Sequence, residues 1–580
     1  MEKRMKEFKG HKMGTVKNYK ELLNRAVRLY GNKVAFEYKK DPTAKVPEYI
    51  KHTFKEYKQE VTELGTALLN MGLEGERVAL IGNNRYEWCT SYMAVTCGGM
   101  VIVPLDKSLP DVEIKSLITR SKAKAVIYEE KYEKIFEEIK KENNTNLQYY
   151  ICIDKVENDD VLYYNDLLAS GKESLTNNYN KFADVKIKND EMSIMLFTSG
   201  TTSAAKAVML SQYNVCSNID AMPHFVMMYD TDTLLSFLPL HHTFENTITF
   251  IYGCLYCGAT IAFCDGLKHV SQNLKEYQVT VFVGVPLMLD IMYKKIMKQI
   301  DKQGKTKLIK VMSGLCNFLL FLHIDIRKKV FKQIIDNLGG KLRLILYGGA
   351  PMDKDTILGL TNFGISIVQG YGLTETSPVI SAETDHYKRP GATGLVMCNE
   401  EVRICDANEE GIGEIIVKGP NIMLGYYENE EATAETLKDG WLYTGDLGYF
   451  DKDGFLYVTG RKKDVIVLKN GKNIYPQELE FLISKLPYVE ESIVYGKPLK
   501  NENLMLAAKI VYSVDKIKEI YPKLNDKEYK DKIWEDIKTL NLSVPEYKHI
   551  KEISITTEPL IKTTTQKVKR AEELKRILGK

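Results

Sequence analysis

Over its first two thirds the chain alternates short apolar, β-branched runs with longer stretches whose apolar residues recur at helical spacing. Arg77 to Ile81 precedes the helical stretch Tyr86 to Thr96, and Ala125 to Tyr128 precedes Tyr132 to Lys140. Farther on, Thr280 to Val285 opens on Pro286 and a helix predicted to reach about Gln299, and a strand is predicted over Leu342 to Tyr347. Strands alternating with helices predict parallel sheets covered by helices. Such sheets bind ligands beyond the carboxyl ends of their strands, so chemistry is to be sought just after each strand. From about Glu401 the texture changes to short strands with glycine-rich turns, as in GEIIVKG and FLYVTG, and from Arg461 it becomes lysine-rich with mixed strands and helices. The expectation is an α/β chain: a large N-terminal domain over residues 1–460, of helix-covered, largely parallel sheets plus a β-rich subdomain, then a small α+β domain over residues 461–580. The most amphipathic stretch is Asn317 to Leu338, where FLLFL precedes a helix carrying Val330, Phe331, Ile334, Ile335 and Leu338 beside Arg327, Lys328, Lys329 and Lys332. It reads either as a helix on a membrane surface or as a core helix with a solvated lysine edge.

Composition narrows the partners. The 580 residues, 44% hydrophobic, exceed what a single core accommodates. Eighty Lys+Arg against 77 Asp+Glu leave a formal charge of +3, too balanced for the basic face that nucleic-acid binding requires. The start, MEKRMKEFKGHKMG, is charged where a signal peptide is apolar, and no stretch approaches the ~18 apolar residues of a membrane span. A cytoplasmic protein is expected, with peripheral membrane contact left open. Ten scattered cysteines read as reduced thiols. Cys254 and Cys257 have redox-motif spacing but lack a second pair or a histidine cluster, and they read as small residues of a buried helix.

One loop points to anion chemistry. FTSGTTSAAKAVML, Phe197 to Leu210, follows an apolar run with a Thr/Ser/Gly-rich turn. Its N–H groups and hydroxyls, Thr198, Ser199, Gly200, Thr201 and Thr202 among them, can form a concave phosphate site, with Lys206 adding a point charge. A Walker A loop would carry glycine before the lysine and Ser/Thr after it, and here Ala205 and Ala207 stand there.

The loop is followed in order by LPLHHTFENT (Leu238 to Thr247), YGGAPM (Tyr347 to Met352), QGYGLTETSP (Gln369 to Pro378), GWLYTGDLGYFDKDG (Gly440 to Gly454) and GRKKDVIVLKNGKNIYPQELE (Gly460 to Glu480). Together these segments resemble the adenylate-forming superfamily over nearly the whole chain. The helical insertion between VGVPLMLD and YGGAPMD, and the GRKKDVIVLKNGKNIYP segment, resemble its long-chain fatty acyl-CoA synthetase branch. The resemblance implies ATP, Mg²⁺ and CoA as co-substrates and cofactors, a fatty acid as substrate, and a mobile C-terminal domain.

The resemblance also implies residue roles. Tyr371 stacks on adenine beside Gln369 and Gly370, with the adenine edge at Gly349, Ala350 and Pro351. Thr374 donates to a phosphate, and Glu375 supplies the hard oxygen that Mg²⁺ prefers. Asp446 and Arg461 contact the ribose. His242 is the pocket aromatic after LPL, its neighbour His241 reading as packing, and Phe244, Val285 and Pro286 line an apolar acyl tunnel with it. Lys567, in PLIKTTTQKVKR, is the catalytic lysine. The domain is expected to turn about Lys463 between half-reactions, withdrawing Lys567 and presenting Lys469, Asn470, Gly471 and Lys472 to CoA. Ser203, Ala205, Ala207 and Gln566 depart from the family's usual glycines and proline, which bears on turnover rate. The rival readings are an acyl-carrier-protein synthetase and a catalytically weak paralogue that binds acyl groups or nucleotides.

Overall fold

The computed structural model describes residues 14–177, 181–198, 205–385, 387–468, 472–499, 504–562 and 568–579. The chain forms two compact units. The first takes in the residues up to Thr198 together with Lys206–Glu401 and Val417–Leu442; the second takes in Val402–Ile416 and everything from Tyr443 onward.

Two sheets organise the first unit. One has eight strands among the described residues, in the order Gly425–Tyr426, Lys206–Ser211, Met192–Thr198, Val101–Pro104, Arg77–Ile81, Ala125–Tyr128, Tyr149–Cys152 and Leu162–Tyr163. From Val101–Pro104 to Leu162–Tyr163 its neighbours pair in parallel. The other has nine, in the order Leu395–Val396, Ser381–Ala382, Ser366–Tyr371, Leu344–Tyr347, Val281–Gly284, Thr233–Ser236, Thr260–Phe263, Val34–Lys39 and Tyr49–Thr53. The helix Tyr86–Cys97 is buried on every side except at Glu87, which explains why its sequence shows no polar stripe. Phe36 of one sheet and Leu80 of the other belong to one apolar cluster with this helix's Trp88 and with Phe250.

Phe250 sits in a fully buried π-helical stretch, Asn246–Tyr256. Cys254 lies in that stretch and Cys257 caps it, both buried and free, so this pair is core packing. The predicted strand at 342 begins later, at Leu344, because Leu342 is buried outside the ladder, and the helix from Pro286 runs on to Lys302. FLLFL closes a helix, Thr306–Phe321, and Phe331, Ile334, Ile335 and Leu338 point into the core. Residues 327–338 therefore pack on the core with a lysine edge, but as two short helices, Arg327–Val330 and Lys332–Asn337, interrupted at Phe331, where the sequence predicts one.

Most of Glu401–Cys405, Gly413–Lys418 and Trp441–Phe450, and all of Leu456–Arg461, fall in the second unit, the last two strands pairing antiparallel. It also holds a three-stranded sheet in which Val489–Pro498 pairs antiparallel, and Glu552–Thr556 parallel, with the central Leu504–Tyr512. The helices Pro476–Ile483 and Tyr529–Asn541 supply Leu479, Ile483, Ile533 and Ile537 to its core. The first unit is thus parallel-sheet α/β and the second α+β.

Candidate functional site

In the nine-stranded sheet, Ser366–Tyr371, Leu344–Tyr347, Val281–Gly284 and Thr233–Ser236 are consecutive neighbours and all pair in parallel. Their carboxyl ends therefore lie along one edge, where an open parallel sheet binds ligands. The chain leaves that edge as Gly348 to Pro351 after one strand, as Val285 and the buried Pro286 after the next, and as Phe237 to Asn246 after the third. Gly348 faces the first strand closely: a Cβ there would lie 3.0 Å from the Gly370 carbonyl and 3.7 Å from the Phe244 ring. Gly349 takes φ +84°, and Ala350 and Pro351 are exposed. The Tyr347 hydroxyl donates to the Gln369 side chain at 2.7 Å, and the Gln369 N–H donates to Glu383, which fixes the strand that ends in the half-buried Tyr371.

His242 stands at the turn into the π-helical stretch; its N–H donates to the Pro239 carbonyl and its carbonyl accepts from Asn246. Its ring centroid is 5.1 Å from that of His241, whose Nε2 is 3.5 Å from Asp106. Beneath this turn lies a polar network absent from the sequence reading. The wholly buried Glu245 accepts from the Ser236 hydroxyl at 2.7 Å and from Thr249 at 3.0 Å, and Asn84 donates to Ser236 and to the Leu238 carbonyl. Burial pushes the Glu245 carboxyl up to about 8, opposed by the two hydroxyl donors.

The Thr/Ser/Gly segment joins two antiparallel strands, with Thr198 opposite Lys206. The elements flanking the segment are both strands, where a Walker loop runs from strand to helix. Lys206 Nζ lies 4.6 Å from the centre of the Tyr426 ring, a cation–π distance. The Tyr426 hydroxyl donates to Glu375 Oε1 at 2.9 Å, and the Met423 N–H donates to the Glu375 carbonyl. Gly425–Tyr426 pairs with Lys206–Ser211, so three segments distant in sequence bring Lys206, Tyr426 and Glu375 together. Thr374 and Glu375 begin a single 3₁₀ turn that stops at Ser377 in a left-handed conformation. The buried Asn421 donates from its side chain to the Thr376 carbonyl, and its own carbonyl accepts from the Ser377 hydroxyl, which ties down the end of that turn.

In the second unit Asp446 and Arg461 are cross-strand partners, with Arg461 Nε 2.8 Å from Asp446 Oδ1. Asp446 is buried, and the Arg461 guanidinium keeps its charge compensated. Lys462 pairs with Glu414 at 2.7 Å, and Lys463 follows, exposed, in the turn Lys462–Asp464. Lys472 Nζ lies 4.1 Å from the centre of the Tyr547 ring. An isolated antiparallel bridge joins Lys562 to Val568, on either side of the segment holding Lys567. Ser199, Gly200, Thr201, Thr202, Lys469, Asn470, Gly471 and Lys567 lie outside the described residues.

The two functional-looking residues that the sequence did not yield are Tyr426 and Glu245. Tyr426 sits in a short GYY run without a motif. Glu245 belongs to a motif, but only the fold reveals the hydroxyls that hold it.

Comparison with known proteins separates the enzyme families that such a sheet edge could serve. Residues 23–427 match the model described as AMP-binding enzyme, and residues 463–577 match the AMP-binding enzyme C-terminal domain. The chain belongs to the AMP-binding enzyme family. Similar curated proteins include long-chain-fatty-acid–CoA ligase 5 of Mus musculus, 30% identical over 580 residues covering 90% of this chain and 82% of the relative. Fatty acyl-CoA synthetase B of Dictyostelium discoideum is 28% identical, covering 83% of this chain and 75% of its own. Among solved structures, the anthranilate CoA ligase AuaEII in complex with anthranoyl-AMP has a similar fold, with a TM-score of 0.75 at 20% identity and 97% coverage of both chains. ATP-bound MatB from Rhodopseudomonas palustris superposes with a TM-score of 0.72 at 23% identity, covering 96% of this chain and 98% of its own. Among the described residues of this AMP-binding enzyme, no group of three or more His, Cys, Asp or Glu could hold a metal ion, and no helix is long and apolar enough to cross a membrane.

Proposed function

We propose that this AMP-binding enzyme is an AMP-forming long-chain fatty acid–CoA ligase of the cytoplasm, which activates the acid with ATP and passes the acyl group to CoA. The observation that carries this reading is the convergence of Lys206, Tyr426 and Glu375, two charges of opposite sign held by one phenol. A half-buried carboxylate is the hard donor Mg²⁺ takes, and Glu375 would hold a magnesium ion whose remaining ligands are nucleotide phosphates and water. When bound, that ion offsets the charge of the triphosphate.

The chain's own residues then do the positioning. Lys206 supplies positive charge to the phosphates, and Thr374 donates a hydrogen bond to one of them. Tyr371 offers its ring to adenine across the Gly349 to Pro351 turn, which has no bulk at Gly348 or Gly349 to block a base. Asp446, held by Arg461, accepts from the ribose hydroxyls. The acid's carboxylate oxygen attacks the α-phosphorus and pyrophosphate leaves, a step that needs two anions held together and their charge offset, with no protein nucleophile. Lys567 is assigned to that step on its motif. The CoA sulfur then attacks the acyl carbon and AMP leaves, with Lys469 to Lys472 assigned to CoA. Phe244, Val285 and Pro286, beside His242, offer apolar surface to an alkyl chain, each buried CH₂ contributing about 0.8 kcal/mol.

Exchange of labelled pyrophosphate into ATP, driven by acids of increasing length, tests the reading. Acids of about twelve carbons or more are expected to give higher kcat/KM than acetate or butyrate, because remote alkyl burial supplies binding energy that short acids lack. Preference for acetate would remove the long-chain assignment. Offering CoA and acyl carrier protein side by side distinguishes the two acceptors.

A further inference from the structure

The helix Thr306–Phe321 has an inverted surface. Its core-facing residues are Ile309, Met312 and the buried Cys316, whereas Leu308, Val311, Leu315, Phe318 and Leu322 point outward at alternating spacings of three and four. Val311 is 68% exposed, Phe318 61% and Phe321, at the helix end, 81%. An outward face of this kind is normally charged, and a contiguous exposed apolar surface marks an interaction site. Its flanks are basic: Lys307 and Lys310 are exposed on the same helix, and Lys294, Lys295 and Lys298 are exposed on the preceding Pro286–Lys302. From Pro286 to Lys332 there are eleven Lys and Arg against three Asp and no Glu, in a chain whose formal charge is only +3.

We propose that this outward face docks on an anionic lipid surface, with Val311, Leu315, Phe318 and Phe321 entering the acyl boundary and the lysines meeting the headgroups. A second copy of the chain is disfavoured by symmetry. A two-fold interface sets the same patch against itself, and lysine would then face lysine. A lipid leaflet accepts both parts of the pattern, since apolar side chains enter it and a negative surface attracts the basic rim. Crossing is not involved: the helix is 16 residues, about 24 Å, and no described helix qualifies as a span. The inference rests on the surface of this helix and does not depend on the acyl substrate proposed above.

The full-length chain is sedimented with vesicles of phosphatidylcholine alone and of phosphatidylcholine mixed with phosphatidylglycerol. Binding to the anionic vesicles that weakens with salt, with much less binding to the neutral ones, is expected. Val311→Glu with Phe318→Glu should cut that binding at least ten-fold while leaving the melting temperature and pyrophosphate exchange with a soluble short acid unchanged, because both side chains already face water. Lys307→Gln with Lys310→Gln should weaken binding by about five-fold per lysine at low salt, with no change on neutral vesicles. The proposal is overturned if the chain binds neither vesicle, or if anionic binding survives Val311→Glu with Phe318→Glu. It is equally overturned if the chain is a dimer in solution that this double substitution splits.

Discussion

Glu245 is a carboxylic acid held out of water by its own fold, and its titration leaves a signature in stability. The unfolded chain loses this proton near 4.5, while the folded protein keeps it up to about 8. Between those values the native state binds the extra proton, so this residue's contribution to stability falls as pH rises, by about 1.4 kcal/mol per pH unit within the window, and is constant on either side. Glu245→Gln keeps the shape and removes the titration. Relative to wild type, the variant should therefore gain stability between about pH 5 and about pH 8 in urea unfolding; a difference independent of pH would mean that the group is ionised in the fold. At Glu375 the expectation concerns chemistry. If Glu375 holds the magnesium ion as proposed, Glu375→Gln removes a ligand charge at constant volume, so pyrophosphate exchange should fall by roughly two orders of magnitude or more with the melting temperature preserved. Exchange at the wild-type rate would take Glu375 out of the metal site. Glu375, Tyr371, Asp446 and Arg461 stand out in the sequence as candidates because each sits in a motif whose neighbours constrain it, and the cross-strand pairing of Asp446 with Arg461 is what the structure adds. Tyr426 does not stand out, since its meaning comes from Lys206 and Glu375, which reach it only through strand pairing.

At the scale of elements, the turn after Ser366–Tyr371 depends on a missing side chain. A Cβ at Gly372 would stand 1.8 Å from the Pro378 carbonyl oxygen, backbone that cannot step aside without moving Thr374 and Glu375. Gly372→Ala should cost about 1–3 kcal/mol and reduce adenylation with it. Gly314, mid-helix in Thr306–Phe321, has nothing within 4 Å of its would-be Cβ, so Gly314→Ala should stabilise by about 0.5–1 kcal/mol. Paired melting curves read both signs, and equal effects would mean that crowding at Gly372 does not matter. The strands at 77–81 and 125–128 were legible because fully buried parallel strands are continuous apolar runs. The stretch 317–338 was less so. Periodicity reports that a face is apolar, not whether a neighbour covers it: Phe331 and Ile335 found the core, Phe318 and Phe321 did not.

At the scale of the molecule, the two half-reactions should separate genetically. Lys567→Ala is expected to slow adenylation by about 10²–10⁴ while leaving thioester formation from preformed acyl-adenylate nearly normal. Lys463→Pro, which restricts φ in the turn Lys462–Asp464, should adenylate well and transfer poorly. Both are read by single-turnover assays of each half-reaction, and equal slowing of the two steps by Lys567→Ala would exclude a lysine used only once. The pairing that brings Tyr426 to Lys206 also sets a timetable for biosynthesis. Lys206–Ser211 is covered on one side by Met192–Thr198, but its other edge waits for Gly425–Tyr426, more than two hundred residues later. At ribosomal speed that interval lasts roughly ten to forty seconds. Throughout it the nascent chain carries an open strand edge, the kind of template on which wrong strands pair. Chaperone demand during synthesis should thus concentrate between the emergence of residue 211 and that of residue 426.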